Sequence, residues 1–275
     1  MKITYFGKSD KGRLRKTNED YFSCLKISGN EYLFVVADGM GGHQAGDVAS
    51  KLGTLTFIRI YKELRENKTA MPEALAVAIT RANETILEKA SADLRKRGMG
   101  TTFSAVAVSN MKGYIVHVGD SRIYIVRNNK ILRLTTDHTF VEKMVEEGRL
   151  TEEEARDHPQ KNILYMSLGA RQSFAPEISE SFDLKEGDVF VICSDGLNNM
   201  VTDSRIKEEV LSNSPKKAVE KLIKLANTNG GVDNITLVVF RLDERQASEK
   251  TEPIKIIKKK GRIASFFAKY IREVK

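Results

Sequence analysis

The chain has 275 residues, 41% of them hydrophobic and 30% charged, which is enough apolar material for the core of one large domain or two small ones. No apolar stretch is long enough to span a bilayer and the first residues lack the apolar core of a signal peptide, so we expect a cytoplasmic protein. The net charge is +8, but residues 254–275 hold eight Lys or Arg and one Glu. The rest of the chain is therefore nearly neutral, which argues against a nucleic-acid-binding surface on its body.

The N-terminal part of the chain begins with strands and continues with two helices. Residues 3–10, 21–27 and 31–37 have the apolar content of strands. Residues 44–65 predict a helix, and Pro72 favours the start of a second one. An apolar stripe follows that proline at helical spacing: Leu75, Ala78, Ile79, Ala82 and Ile86.

The centre of the chain is rich in strands and ends in a short helical hairpin. Four strand-like segments follow one another, at 101–108, 113–118, 121–127 and 130–134. In the hairpin, Thr151 and Glu154 have the spacing of a capping box.

The C-terminal part returns to both kinds of element. Residues 176–182 and 188–193 predict strands, Asp203 and Pro215 open two helices, and ITLVVF at 235–240 predicts a last strand. Because helices come in pairs and most strands follow one another directly, the pattern argues against the strict β-α-β alternation of a doubly wound fold. We expect an α+β fold in which two mostly antiparallel sheets form a sandwich with a helix pair on each outer face.

Three apolar runs stop at an aspartate next to a glycine, and these aspartates are Asp38, Asp120 and Asp195. Such runs are typical of strands buried on both faces, so the carboxylates lie where solvent begins. Two more acidic segments, at 18–20 and 230–234, come immediately before strands. If those strands run antiparallel to the first three, all five clusters reach one edge. Tight turns are the alternative for any single Asp-Gly pair.

Carboxylates gathered this closely repel one another unless a cation neutralises them, so the pattern indicates a metal site. All-oxygen ligands favour Mg²⁺ or Mn²⁺ over zinc. The two cysteines have no C-x-x-C partner and do not indicate zinc either.

Six short motifs, in this order and spacing, resemble the bacterial branch of the metal-dependent PPM (type 2C) serine/threonine phosphatases over roughly residues 3–241. The motifs are Arg15-Lys-Thr-Asn-Glu-Asp20, Ala37-Asp-Gly-Met-Gly-Gly-His43, Gly100-Thr-Thr102, Gly119-Asp-Ser-Arg122, Cys193-Ser-Asp-Gly-Leu197 and Asp233-Asn-Ile-Thr236. The resemblance implies a four-layer αββα sandwich at residues 1–241 with a flap subdomain at about 139–166. It also implies two Mn²⁺ or Mg²⁺ ions and attack on phosphorus by a hydroxide that bridges them, without a phosphoenzyme.

The resemblance implies a set of metal ligands drawn from four of the motifs. Asp38 would bridge both ions, the carbonyl of Gly39 would bind one, and Asp195 and Asp233 would complete the core set. Glu19 and Asp20 match acidic positions that hold metal-bound water.

The resemblance also implies a third, weaker metal site and two catalytic side chains. Asp120 matches a ligand of the third ion, but Asn199 stands where some relatives have a further acid, which argues for lower affinity.

Arg15 matches a phosphate-binding arginine whose planar fork can hold two oxygens; the alternative is a solvated cation in a basic loop. His43 is the candidate general acid for the departing seryl or threonyl oxygen.

The predicted function is hydrolysis of phosphoserine and phosphothreonine in proteins, opposing a bacterial serine/threonine kinase. We expect a monomer that acts on phosphoproteins and not on nucleic acid. Two alternatives stay open: a catalytically dead relative that binds phosphoproteins, and a metal-dependent nuclease or other phosphodiesterase. The intact Asp38, Asp195 and Asp233 argue against the first.

Beyond the predicted domain, we expect residues 242–253 to form a polar linker and residues 254–275 a basic amphipathic helix. Its apolar positions fall on one helical face: Ile263, Phe266, Phe267, Tyr270, Ile271 and Val274. Such a helix can lie on an anionic membrane, dock a protein partner or pack on its own domain.

Overall fold

The computed structural model describes residues 1–41, 45–171 and 176–243. In chain order, the strands are β1 (Ile3–Asp10), β2 (Tyr21–Ser28), β3 (Glu31–Ala37), β4 (Gly39–Met40), β5 (Gly100–Thr101), β6 (Phe103–Ser109), β7 (Lys112–Val118), β8 (Arg122–Arg127), β9 (Lys130–Arg133), β10 (Glu177–Ile178), β11 (Phe182–Asp183), β12 (Val189–Cys193) and β13 (Ile235–Leu242). The α-helices are α1 (Gly46–Glu66), α2 (Met71–Ala92), α3 (Phe140–Glu146), α4 (Glu152–Asp157), α5 (Asp195–Asn198), α6 (Asp203–Ser212) and α7 (Pro215–Thr228), and a 3₁₀ helix spans Leu94–Lys96.

Two antiparallel sheets make the centre of the fold. Sheet I has the strand order β1-β13-β12-β8-β9, and sheet II has the order β10-β7-β6-β3-β2, with β11 also paired to β7. A stack of aromatic rings fills the space between them: the centroids of Phe34 and Phe240 are 4.2 Å apart, and those of Phe190 and Phe240 are 4.6 Å apart. Burial of these rings is a large part of what holds the sheets together.

A pair of helices covers the outer face of each sheet. Helices α1 and α2 pack Phe57, Leu75 and neighbouring apolar side chains against β3 and β6 of sheet II. Helices α6 and α7 do the same for sheet I, where Val219 and Leu222 pack with Val191 and other residues of β12 and β13. The described residues therefore form the expected α+β sandwich with layers in the order αββα, and the predicted fold class is confirmed.

The predicted strand directions are also confirmed, and they position the acids. Strand β2 runs antiparallel to β3, with Tyr21 opposite Ala37. Strand β13 runs antiparallel to β12, with Leu237 opposite Cys193. Since Asp20 precedes β2 and Asp38 follows β3, both lie at the same edge of sheet II. The same relation brings Asp233 and Asp195 to one edge of sheet I.

The segment between β9 and β10 contains the predicted helical hairpin, α3 and α4. The capping box at the start of α4 is present: the Glu154 N–H donates to Thr151 Oγ1 at 3.2 Å, and the Thr151 N–H donates to Glu154 Oε2 at 2.8 Å. After α4 the chain is mostly irregular up to residue 171.

The prediction of one continuous strand at 176–182 is wrong. The structure has two strands of two residues each, β10 and β11. Ser179 lies between them, and its side chain takes the place of a backbone partner. The Ile115 N–H donates to Ser179 Oγ at 2.8 Å, while the Ser179 N–H donates to the carbonyl of Ile115 at 2.9 Å. This local side-chain bond interrupts the ladder.

The predicted linker at 242–253 is described only at its first two residues, and the predicted helix at 254–275 lies outside the described residues. The boundaries of the domain and of the flap stay predictions. None of the helices in the described ranges has the length and apolar character needed to cross a bilayer.

Candidate active site and metal centre

A cleft of about 720 Å³ opens at the edge where the acidic strand ends meet. Seven of the predicted site residues line it: Arg15, Glu19, Asp38, Gly39, Asp120, Asp195 and Asp233. Asp20 is buried behind the wall, with 8% of its surface exposed. His43 lies outside the described residues. The fold therefore brings together carboxylates from five separate segments of the chain.

Asp38 is held through its backbone by two threonines and leaves its carboxylate to the cleft. The Asp38 N–H donates to Thr102 Oγ1 at 2.9 Å, and the Asp38 carbonyl accepts from the Thr102 N–H at 2.8 Å and from Thr101 Oγ1 at 2.9 Å. Thr102 Oγ1 also lies 2.7 Å from Ser121 Oγ. These bonds hold the end of β3 against β5 and the loop after β7, so that Asp38 and Asp120 approach each other.

Asp20 is oriented by a serine from the other sheet. Ser194 Oγ donates to Asp20 Oδ2 at 2.8 Å and accepts from the Thr236 N–H at 3.0 Å. The second oxygen, Asp20 Oδ1, is buried and has no hydrogen-bond partner among the described residues. Because Ser194 holds Asp20 Oδ2, the direction of Asp20 Oδ1 is fixed as well.

Asp195, the first residue of α5, has the same arrangement. Its Oδ2 accepts from Asn199 Nδ2 at 3.1 Å, and its buried Oδ1 has no partner within the described part of the chain. Asn199 therefore contributes an amide donor where an acid would have added a further carboxylate. A buried carboxylate oxygen without a donor is costly, and a cation is the partner that such an oxygen lacks.

Gly39 is required by packing. A Cβ at this position would lie 2.1 Å from the carbonyl oxygen of Gly46 and 2.5 Å from that of Glu19. The Glu19 carbonyl also accepts from the Gly39 N–H at 3.2 Å and from Ser50 Oγ at 2.6 Å. The glycine that the family resemblance assigns to metal binding thus also permits β3, α1 and the segment before β2 to meet.

The metal-free cleft raises the pKa of its carboxyl groups, first because burial disfavours their charged form and second because they repel one another. Burial, with the charges of Asp195 and Asp233, raises the pKa of Asp20 to about 7. Burial and Asp233 raise the pKa of Asp195 to about 6, and burial and Asp195 raise that of Asp120 to about 8. For Asp38 the pKa lies well above its ordinary value, because burial is reinforced by all four other aspartates.

The side chains present fit divalent cations. The donors are carboxylate oxygens with main-chain carbonyls nearby, which suit Mg²⁺ and Mn²⁺, and two of the oxygens are buried without a partner. Within the described residues, no three Asp, Glu, His or Cys side chains form a compact cage around one point. Ions in this cleft would therefore need main-chain oxygens or water as further ligands, which is the usual behaviour of Mg²⁺.

Arg15 lies at the rim of the cleft and is more exposed than the acids. Its Nη2 donates to Asp233 Oδ2 at 2.7 Å, while 56% of its side chain is accessible to solvent. Its pKa is raised, first by that hydrogen bond and further by the charges of Asp233, Asp38 and Glu19. The arginine is therefore positioned by the acidic cluster and is not one more solvated cation of the basic loop.

Asn234 belongs to the Asp233-Asn-Ile-Thr236 motif, but the sequence predicted no role for it. In the structure it fixes the loop beside the cleft. Its Nδ2 donates to the carbonyls of Lys11 and Thr17, both at 2.9 Å, and its Oδ1 accepts from the Glu19 N–H at 2.8 Å. One buried amide thus attaches both ends of the loop that carries Arg15 to the start of β13. Its place directly after Asp233 in the motif was the only signal for this role.

Two buried histidines, His117 and His138, make structural contacts. His117 is buried, with Nδ1 2.9 Å from Ser104 Oγ and Nε2 3.0 Å from the carbonyl of Thr136. His138 Nδ1 accepts from the Gly119 N–H at 3.1 Å. Arg122 forms a partly buried ion pair with Asp137 at 2.6 Å.

The segment after α4 contributes wall residues that the sequence did not predict: Asn162, Leu164 and Ser167. No periodicity or motif marks them, because the segment is irregular. Its attachment to the fold is clear from the structure, since the N–H and carbonyl of Leu168 bond to Thr101 at 2.9 and 3.1 Å.

Comparison with known proteins places the chain in a family. The sequence profile of protein phosphatase 2C matches residues 13–234. Protein phosphatase PhpP of Streptococcus pneumoniae is 34% identical over 241 residues, which is 87% of this chain and 97% of that protein. Serine/threonine protein phosphatase PstP of Mycobacterium tuberculosis is 34% identical over 255 residues, 92% of this chain and 47% of that protein.

Solved structures of similar proteins support the same family. The Mycobacterium tuberculosis serine/threonine phosphatase PstP/Ppp has a TM-score of 0.80 at 34% identity, with 88% of this chain and 99% of that chain covered. The S. agalactiae serine/threonine phosphatase has a TM-score of 0.80 at 36% identity, covering 88% and 100%. The catalytic domain of PstP in complex with two manganese ions has a TM-score of 0.77 at 32% identity, covering 88% and 99%. The chain therefore belongs to the protein phosphatase 2C family, as its motifs indicate.

Proposed function

We propose that this protein hydrolyses phosphoserine and phosphothreonine in other proteins and that the reaction depends on two Mn²⁺ or Mg²⁺ ions. The observation that carries the proposal is the cleft itself, where acids from five chain segments meet beside an exposed arginine. Asp195 in the cleft and Asp20 behind its wall each keep a buried oxygen without a partner in the described part of the chain. The similar proteins named serine/threonine phosphatases, and the PstP complex with two manganese ions, support it further.

In this proposal, separate groups of residues bind the ions, their water ligands and the phosphate. Asp38, Asp195, Asp233 and the carbonyl of Gly39 would hold the ions, while Glu19 and Asp20 would hold their water ligands. When bound, a pair of divalent ions lowers the pKa of the attacking water and neutralises charge on the phosphoryl group. Arg15 binds phosphate oxygens with its planar fork and orients the phosphoryl group toward the acids.

Two assignments rest on the motifs alone. His43, which lies outside the described residues, would donate a proton to the departing seryl or threonyl oxygen. Asp120 would contribute to a third ion. The amide of Asn199 in place of a further acid supports weaker binding there than at the two-ion core.

The cellular setting is likewise part of the proposal. A protein with this activity would act in the cytoplasm as a monomer and oppose a serine/threonine kinase on shared phosphoproteins. The two alternative functions are less well supported. A dead relative has no need for this many acids in one cleft, and a nearly neutral body does not favour nucleic acid.

The proposed function is tested by hydrolysis of a phosphothreonine peptide with Mn²⁺ and with EDTA. We expect turnover that requires Mn²⁺ and that is lost in Asp195→Asn, whose side chain has the same shape but lacks the charge. Activity that persists in EDTA would contradict the metal dependence. Inactivity of wild-type protein in both Mn²⁺ and Mg²⁺ would favour the phosphoprotein-binding alternative.

The basic C-terminal segment, residues 254–275, supports a second proposal, that it attaches the protein to anionic lipid. Each Lys near an anionic membrane contributes about 1 kcal/mol, so Lys258→Gln/Lys259→Gln/Lys260→Gln should lower the partition coefficient on phosphatidylserine vesicles by about 100-fold. Sedimentation with vesicles measures this, with phosphatidylcholine vesicles and peptide turnover as controls. Equal binding of the variant and the wild type would refute lipid attachment.

A further inference from the structure

The cleft has a strongly basic rim on one side. Residues 11–17, KGRLRKT, connect β1 to the acidic segment before β2, and we call them the rim loop. The loop contains Lys11, Arg13, Arg15 and Lys16 and no acid, and all four cations are exposed. Arg15, Lys16 and Thr17 line the cleft directly.

Most of this charge is not neutralised by an ion pair, although Arg13 interacts at longer range with the charge of Asp10. Arg15 pairs with Asp233, but Lys11, Arg13 and Lys16 form no ion pair with any residue that the structure describes. Leu14 is 69% exposed, so even the apolar side chain of the loop projects into solvent. A phosphoryl group in the cleft needs Arg15, and the three remaining cations are left for another negative group.

The rim loop is nevertheless fixed in place. The Arg13 N–H donates to the carbonyl of Gly231 at 2.7 Å, and Asn234 Nδ2 holds the carbonyls at both ends of the loop. Gly12 has φ +78°, and a Cβ there would lie 2.1 Å from the carbonyl oxygen of Asp233. A ligand that binds this surface therefore does not have to order the backbone first, which reduces the entropic cost of binding.

The part of the predicted flap that lines the cleft does not share this charge, since Asn162 and Leu164 are uncharged. The predicted flap, residues 139–166, contains seven Asp or Glu against four Lys or Arg. An anionic segment entering the cleft is thus attracted by the rim loop, while the flap, whose acids Glu142 and Glu147 pair with Arg133 and Arg149, offers it no excess of positive charge. The basic C-terminal segment of this chain has the same sign as the rim loop and is not a suitable occupant.

We propose that the rim loop is a docking surface for acidic residues that flank the phosphorylated side chain, so that the preferred substrates are acidic phosphopeptide segments. This inference rests on the proposed phosphatase function and adds the chemical class of its substrate. Exposed opposite charges attract one another weakly and are screened by salt, so the preference comes from several of them acting together.

The test compares three phosphothreonine peptides: one with alanines on both sides, one with three aspartates before the phosphothreonine and one with three aspartates after it. We expect kcat/KM for at least one acidic peptide to exceed that of the neutral one by about three- to tenfold at low salt. In Lys11→Gln/Arg13→Gln this ratio should fall to about one, and 0.5 M salt should have the same effect on the wild type.

A matched control removes two cations elsewhere. Lys217 and Lys224 are exposed on the outer helix α7, and Lys217→Gln/Lys224→Gln should retain the wild-type ratio. Lys11 and Arg13 do not line the cleft, so turnover of the small substrate p-nitrophenyl phosphate reports whether the centre of each variant is intact.

The possible failures are distinguishable. Equal kcat/KM for acidic and neutral peptides in the wild type, or a ratio that the rim-loop variant retains, would overturn the docking surface alone. No turnover of any peptide with Mn²⁺ would overturn the proposed function and the docking surface with it.

Discussion

Replacing Asp38 with asparagine should lower kcat for a phosphothreonine peptide by about 10³-fold, and it should also make the metal-free protein more stable. Asparagine keeps the shape of the side chain, and the backbone bonds of residue 38 to Thr101 and Thr102 do not involve the carboxylate. What is lost is a charge that burial and four neighbouring aspartates make unfavourable when no cation is present. Removal of about 1 kcal/mol of repulsion should raise the unfolding midpoint by about 2–4 °C.

The second half of this prediction separates a metal-binding acid from a structural one. Asp137 is equally suitable for an Asp→Asn change, since it is 6% exposed, but it accepts hydrogen bonds from Arg122 at 2.6, 2.9 and 3.1 Å. Asp137→Asn leaves the Arg122 guanidinium, whose side chain is 24% exposed, without its counter-charge, which should cost about 2–3 kcal/mol and lower the unfolding midpoint with or without metal.

Thermal unfolding in EDTA and in Mn²⁺, together with calorimetric titration of Mn²⁺, measures both variants. In Mn²⁺, wild type should be stabilised strongly and Asp38→Asn weakly. The assignment of Asp38 to the metal centre would be wrong if Asp38→Asn kept more than about a tenth of wild-type kcat. It would also be wrong if Asp38→Asn destabilised the metal-free protein as Asp137→Asn does.

The features predicted correctly from the sequence are those with a local signal. Apolar runs such as residues 31–37 and 235–240 became strands because their periodicity and length allow little else, and Thr151 with Glu154 specified a helix start through two short-range bonds. The meeting of the acids followed from strand direction, because antiparallel neighbours bring one strand's end to the next strand's start.

The features missed depend on contacts between distant parts of the chain. Strands β4 and β5 are two residues each and exist only because Gly39 lies opposite Thr101. Asn234 bonds to Lys11 and Thr17, more than 200 positions away in sequence, and Ser194 bonds to Asp20 across 174 positions. Motif membership marked these residues as notable, but only the fold shows which atoms they hold.

Because the buried acids repel one another, the stability of the metal-free protein should fall as pH rises. Bound metal should reverse this dependence. In the metal-free fold the carboxyl pKa values of Asp195, Asp20 and Asp120 are raised to about 6, 7 and 8, above the ordinary value of 3.8. Between pH 4 and 8 the folded protein therefore binds more protons than the unfolded chain, so the free energy of unfolding falls as pH rises. For Asp195 alone, a pKa of about 6 corresponds to about 3 kcal/mol.

One buried group acts in the opposite direction at the acidic end of this window. Burial lowers the pKa of His117 to about 4, so that protonation of the unfolded chain below pH 6.5 destabilises the fold. The effect of the carboxyl groups should therefore be seen most clearly between about pH 6.5 and 8, where His117 is neutral in both states.

We expect the unfolding midpoint in EDTA to fall as the pH is raised from 6.5 to 8, because Asp20 and Asp120 lose their protons while buried beside other acids. In Mn²⁺ the midpoint should instead stay level or rise over the same range, because cations bind the deprotonated carboxylates and proton release favours binding. Differential scanning calorimetry of one protein batch under both conditions makes the comparison. A midpoint in EDTA that rises with pH would mean that the acids are already ionised and compensated without metal, and the cleft would then have no electrostatic need for cations.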